Sequence, residues 1–215
     1  MLWIGTDDGN VQITQNDGKT WTNITKNIKG LPNGSWITQI KASNKNKGEA
    51  LLVANDYRRF NYTPYVYRTK NYGKTWERIV NKDDVISYAL SIVEDPITPN
   101  LLFLGTDDGL YVSLNAGKKW TKWTNGFPSV SVKDLVIHPR EHDLVIGTFG
   151  RAAWVLDDIR PLRTIAMNPE VLQKNIVLFE PPTAYQASYQ QPTGSRFGAD
   201  ALYNGENRSR GALIS

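Results

Sequence analysis

The chain has 215 residues, 40% hydrophobic and 21% charged, with a net charge of +4, a balance that fits one globular domain or a little more. It has no cysteine, which excludes a disulfide framework and a thiolate metal site. No apolar run approaches the roughly 20 residues of a membrane helix, and the lysines are scattered, so neither a membrane span nor a nucleic-acid partner is expected.

The first residues, Met1 to Gly5, lack a basic segment and a cleavage site and do not form a signal peptide. They read as the middle of a strand, which implies that Met1 is not the natural start. A segment that opens on an apolar strand then recurs, from Leu2 through Trp21, Leu51 through Trp76 and Leu101 through Trp120, and in part from Asp143 through Trp154. Each unit divides into four short β-rich runs, A to D in chain order. The first unit starts at its B run. In the second, A is 36–42, B 50–54, C 65–69 and D 75–80. In the third they are 85–93, 101–105, 110–113 and 119–123. The fourth has A at 132–138, B at 144–148 and C at 152–156. B runs such as Leu101 to Leu104 are apolar on both faces, as in a strand buried between two sheets. Four-stranded sheets repeating at roughly 45 residues predict an all-β chain, a β-propeller fragment of about three to four blades over residues 1–163.

Residues 164–186 read differently. Asn168 can cap a short helix with Pro169 at its first position, and Ile176–Glu180 is expected to supply the last blade's fourth strand before Pro181 and Pro182 end it. Residues 187–215 form an irregular tail, a polar linker and then the start of a truncated following domain.

The C–D turns carry the sharpest signal. Thr14, Asn16, Gly18 and Trp21 recur as Thr69, Asn71, Gly73 and Trp76, and as Ser113, Asn115, Gly117 and Trp120. The Asn is expected to bond backbone amides two residues on, the Gly to supply a positive φ, and the Trp to fold over its own hairpin. This pattern resembles the Asp-box, or bacterial neuraminidase repeat, with Asn in place of the usual Asp and Lys119 in place of Thr. The stretch from Gly105 to Arg163 looks like the closing blade of large secreted bacterial proteins related to sortilin-type propellers and often labelled glycosyl-hydrolase-like. The resemblance spans about residues 1–186 and implies an exported protein, extracellular or periplasmic. It gives the boxes a structural role.

Strands alternate in direction, so B–C and D–A loops should share one face and the boxes the other. Candidate binding residues on the first face are Asp7, Asp8, Asp56, Tyr57, Arg58, Arg59, Asp107, Asp108 and Arg151, with Trp36 and Phe127 beside them. The longest B–C loop, 55–64, combines Arg forks with aromatic rings suited to carboxylates and to sugar or peptide faces. Asp7-Asp8-Gly9 and Asp107-Asp108-Gly109 are read as hairpin turns, since adjacent carboxylates do not supply the separated pair that glycoside hydrolysis needs. His138 and His142 flank an A–B turn beside Pro139 and form no metal pair, and no cofactor motif is present. The expected function is a non-catalytic binding or scaffold propeller recognising protein, peptide or glycan. The alternative is a sialidase- or xyloglucanase-like glycoside hydrolase with catalytic carboxylates partly outside the chain. An open arc exposes apolar blade faces, so further blades or self-association are expected to cover them.

Overall fold

The repeated apolar runs form fourteen strands and one α-helix among residues 1–183, the part of the chain that the computed structural model describes. The strands are β1 (Leu2–Gly5), β2 (Val11–Thr14) and β3 (Thr22–Asn23) in a first sheet, then β4 (Trp36–Ala42), β5 (Ala50–Asp56), β6 (Asn61–Thr69) and β7 (Glu77–Arg78) in a second. A third sheet holds β8 (Ala89–Glu94), β9 (Leu102–Thr106), β10 (Gly109–Ser113) and β11 (Thr121–Lys122), and a fourth holds β12 (Val132–Ile137), β13 (Leu144–Thr148) and β14 (Ala153–Leu156). Every sheet is an antiparallel meander in chain order. Each A strand carries an irregularity near its start, at Ile37/Gln39, Ala89/Ser91 and Val132/Asp134. The recurrence of that kink marks the sheets as equivalent blades.

Three cores lie between successive blades. Leu52 and Ala54 of β5 face the first sheet with Val11, Ile13 and Tyr67, while Leu51 and Val53 of the same strand face the third sheet with Leu104, Ile92 and Trp120. In β9, Leu102 and Leu104 face the second blade, and Phe103 packs with Leu135 and Ile146 of the fourth. Burial of each such side chain stabilises the fold by about 1.5–3 kcal/mol. The strands apolar on both faces are those between two blades. β1 and β14 instead alternate, leaving Leu2, Ile4 and Val155 exposed.

The boxes bond differently from the sequence expectation. In the first, Asn16 Oδ1 accepts the amide of Thr20 at 3.0 Å, four residues on rather than two. The amide of Gly18 goes to Thr14 Oγ1 at 3.0 Å. Asn16 Nδ2 donates to Thr20 Oγ1 at 2.9 Å. Asn71 with Thr75 repeats both bonds, whereas Asn115 keeps only the backbone bond to Lys119, which has no hydroxyl. Not only the Gly but also the residue before it is left-handed: Asp17, Tyr72 and Ala116 have φ near +60°. The Trp also departs from expectation, since it packs on the preceding blade. Trp76 meets Trp3 edge-on at 6.0 Å, and Trp120 Nε1 donates to the Ile79 carbonyl at 2.8 Å. The D strands therefore shorten to two residues, because Ile79 and Val80 turn into the core between blades.

Gly73 shows what this docking demands. A Cβ there would lie 2.3 Å from Ile24 Cδ1 of the first blade, and φ is +73°. Gly18, with φ of +90°, has open space around it. Gly73→Ala is expected to cost about 2–4 kcal/mol from strain plus overpacking, and Gly18→Ala about 1 kcal/mol from strain alone. Urea unfolding of the two variants checks this, and equal losses would show that contact between blades is not what the second glycine serves.

After β14 the chain forms α1 (Arg160–Met167), not foreseen from sequence, with Pro161 in its first turn. Asn168 does cap the next turn, accepting the amide of Glu170, but Pro169–Gln173 is a 3-10 helix. All these elements belong to one unit, Met1–Lys174, and a second unit begins at Asn175. The strand expected at Ile176–Glu180 is not formed. That segment is irregular, with Ile176 and Leu178 both 87% exposed, so its apolar residues gain nothing that would hold an extended ladder. The linker and following strand expected at 187–215 lie outside the described residues.

Candidate functional site

The loop face is built by B–C and D–A connections. In the second blade β5 ends at Asp56 and the chain makes one 3-10 turn, Tyr57–Arg59, before β6. The turn closes at Phe60, whose left-handed φ of +59° is uncommon for a bulky residue. Asp56, buried, accepts from Arg59 Nε at 2.6 Å and Asn61 Nδ2 at 3.3 Å, which fixes the turn from below. A terminal nitrogen of Arg59 also donates to the Asn33 carbonyl at 2.8 Å, tying this loop to the D–A loop that precedes β4.

The next side chains point across blades. The Arg58 guanidinium lies 4.3 Å from the Trp36 ring centroid and is 2.9 Å from Asp7 of the first blade. Tyr57 and Asp7 hold it further in its charged form. Tyr57 stacks on Tyr88 of the third blade at 4.8 Å and 17°, and sits 6.2 Å from Trp36. Tyr62 tilts against Tyr88 at 6.1 Å. Burial pushes the Tyr88 phenol well above its ordinary range, and hydrogen bonding to Asp107 adds to the shift. Rings from the second and third blades, with carboxylates from the first and third, thus form one cluster.

Of the residues singled out from sequence, Asp7, Asp56, Tyr57, Arg58 and Arg59 meet here, and Asp107 joins through Tyr88. Asp8 does not: Thr6 Oγ1 and Asn10 Nδ2 donate to it within its own turn, and those bonds lower its pKa. Asp108 pairs with Lys122 of its own blade at 2.6 Å. Arg151 stands apart in the β13–β14 turn, where its carbonyl accepts Trp154 Nε1. Phe127 is a core residue, edge-on to Trp154 at 5.4 Å. His138 Nδ1 accepts the Glu141 amide inside its turn, and among the described residues no cluster of three or more metal-ligating side chains occurs.

Phe60 and Tyr62 entered the sequence reading only as aromatic members of loop 55–64, and Tyr88 and Ile86 were passed over as site residues. Tyr88 fell inside the run read as an A strand, which in fact begins at Ala89. Phe60 and Ile86 are 85% and 73% exposed, and with Tyr62 they line an open cleft of about 410 Å³ beside the stacked rings. The boxes lie away from this cluster. The amides of Tyr72 and Ala116 donate at 2.8 Å to Gly48 and Asn100, in the A–B turns of their own blades.

The geometry accords with known proteins. The family model described as "Sortilin-Vps10: Sortilin, neurotensin receptor 3" matches residues 64–158. The GH74 enzyme of Niastella koreensis has 18% identity over 73% of this chain and 26% of its own, with a TM-score of 0.57. The GH74 xyloglucanase of Xanthomonas campestris has 18% identity over 73% and 27%, with a TM-score of 0.56. The extracellular domain of the one-component system BT4673 from B. thetaiotaomicron has 20% identity over 71% and 19%, with a TM-score of 0.52. The chain therefore spans about a quarter or less of the length of these proteins. No curated protein matches it. Among the described residues no helix is long and apolar enough to cross a membrane. By its blades and these structural matches the chain has a β-propeller fold, and residues 64–158 of it are similar to the sortilin family.

Proposed function

We propose that the chain is a non-catalytic binding propeller of an exported protein, taking a peptide, protein or glycan ligand on its loop face. The observation that carries this reading is the cross-blade cluster of Trp36, Tyr57 and Tyr88, which leaves Phe60 and Tyr62 presented outward beside an open cleft. Rigid, pre-packed aromatic side chains bind with little loss of conformational entropy. The extracellular domain among the similar structures supports export. The exposed faces of the first and fourth sheets, with Leu2 and Ile4 on one and Val136 and Val155 on the other, would be covered by further blades or a second copy.

The likeness to GH74 enzymes favours a second reading, a glycoside hydrolase completed by carboxylates outside this chain. Hydrolysis needs an acid of raised pKa facing a second carboxylate. Asp7 is engaged by Arg58 and Asp107 by Tyr88. Glu94 is raised by burial, but it pairs with Arg68 at the end of β8, by the A–B turns. The test is a glycan and peptide array followed by a hydrolysis screen. Tyr62→Ala and Phe60→Ala are each expected to weaken binding about tenfold, as for a central aromatic contact, with no turnover. Turnover that disappears in Asp7→Ala or Asp107→Ala would overturn the binding reading.

A further inference from the structure

The loop-face cleft does not end at the loops. Lys82 lines it and also lines a second groove, of about 470 Å³, between the second and third blades. Pro64, in the first cleft, accepts a bond from Arg78, in the second, at 2.6 Å. The two hollows thus adjoin, and between them they follow β7, the outermost strand of the second sheet. Their characters differ. The loop end is apolar, with Phe60, Tyr62 and Ile86. The far end is basic: beside Arg68, which pairs with Glu94, it is lined by Lys70, Arg78, Lys82 and Lys118 and by one carboxylate, Glu77. Ile79 and Val80 lie along the same groove.

An edge strand presents unpaired backbone groups to any extended chain laid beside it, and side-chain pockets along it supply specificity. We propose that this groove takes an extended acidic peptide, paired along β7, with an apolar side chain between Phe60 and Ile86 and carboxylates against Lys82 and Lys118. A peptide fits better than a polysaccharide because its backbone can pair with the outward groups of the two-residue β7 while its side chains reach both the apolar and the basic end. This deepens the reading of the loop face as a binding surface and rests on it for the apolar end. The basic end is independent of it.

The test uses the full chain and a fluorescein-labelled octapeptide, one Leu followed by Glu residues, against its Gln counterpart, read by anisotropy. The acidic peptide is expected to bind at least about tenfold more tightly than the Gln peptide, with affinity falling as salt rises. Lys82→Glu combined with Lys118→Glu should weaken it by about tenfold or more, and Ile86→Ser should weaken both peptides. All three residues are exposed, and a thermal melt confirms that the variants fold. Equal binding of the two peptides, or no effect of the charge reversals, overturns the proposal. So does competition by polygalacturonate that removes all salt-sensitive binding while an N-methylated acidic peptide still binds as well as the parent. If the acidic peptide fails but other loop-face ligands remain sensitive to Tyr62→Ala, this inference alone falls. If Tyr62→Ala changes no ligand at all, the loop-face reading falls with it.

Discussion

Asp95→Ala is expected to lower stability by about 3–5 kcal/mol, although Asp95 lies far from any proposed ligand. The Arg163 and Asp95 side chains are 5% and 0% exposed, and two guanidinium nitrogens of Arg163 lie 2.8 Å from Asp95 Oδ2. The other carboxylate oxygen accepts the amides of Ile97 at 2.9 Å and Thr98 at 2.6 Å. Truncation leaves a buried guanidinium without a counter-charge and two amides without an acceptor. Arg163 belongs to α1 and Asp95 to the turn after β8, so the pair fastens the helix to the third blade while Ile159 and Ala166 pack into the core between blades three and four. The double variant Asp95→Ala/Arg163→Met should lose less than the sum of the single changes, since the second removes the stranded charge. Urea unfolding of the set decides the matter. A loss below about 1 kcal/mol in the single variant would mean that the helix is held by apolar contact alone.

That helix also marks where sequence reading stopped. The strands were legible because their signal is local: β4 and β13 have the expected limits, and the two-faced apolar runs of β5 and β9 are the ones buried between blades. α1 was hidden because Arg160-Pro-Leu-Arg-Thr-Ile-Ala-Met has only eight residues and a proline, and its burial partner Asp95 is distant in sequence. The boxes were found by spacing, but their bonding depends on a left-handed residue ahead of each glycine, and Asp17, Tyr72 and Ala116 share no side-chain feature that would announce it. The site was half legible. Arg58 and Tyr57 drew notice as residue types on a long loop. Tyr88 did not, because its ring gains meaning only when the third blade sets it 4.8 Å from Tyr57. Phe60 and Ile86 are single exposed apolar residues in sequence, and only the shared cleft relates them.

The box tryptophans, alike in sequence, should differ widely in weight. Trp120 is 3% exposed, lies in the core between blades two and three, and is bonded twice: Nε1 donates to Ile79 O of the second blade, and its amide donates to Asp84 Oδ2, in the connection between the two blades, at 3.2 Å. Trp76 is half-buried against Trp3. Trp21, in the first sheet, is 37% exposed and has no preceding blade beside it among the described residues. Trp120→Ala is expected to cost about 3–5 kcal/mol, from lost burial plus a cavity that two rigid sheets cannot close. Trp120→Phe keeps much of the burial but leaves the Ile79 carbonyl unpaired, at about 1–3 kcal/mol. Trp21→Ala should stay within about 1 kcal/mol, as an exposed position does. The order Trp120, Trp76, Trp21 in urea midpoints tests whether the tryptophan serves its neighbour or its own hairpin. A ring that only covered its own hairpin would make the three losses equal, because the hairpins are nearly the same. A graded series instead makes the box a joint between blades, with its glycine admitting the approach and its tryptophan sealing it.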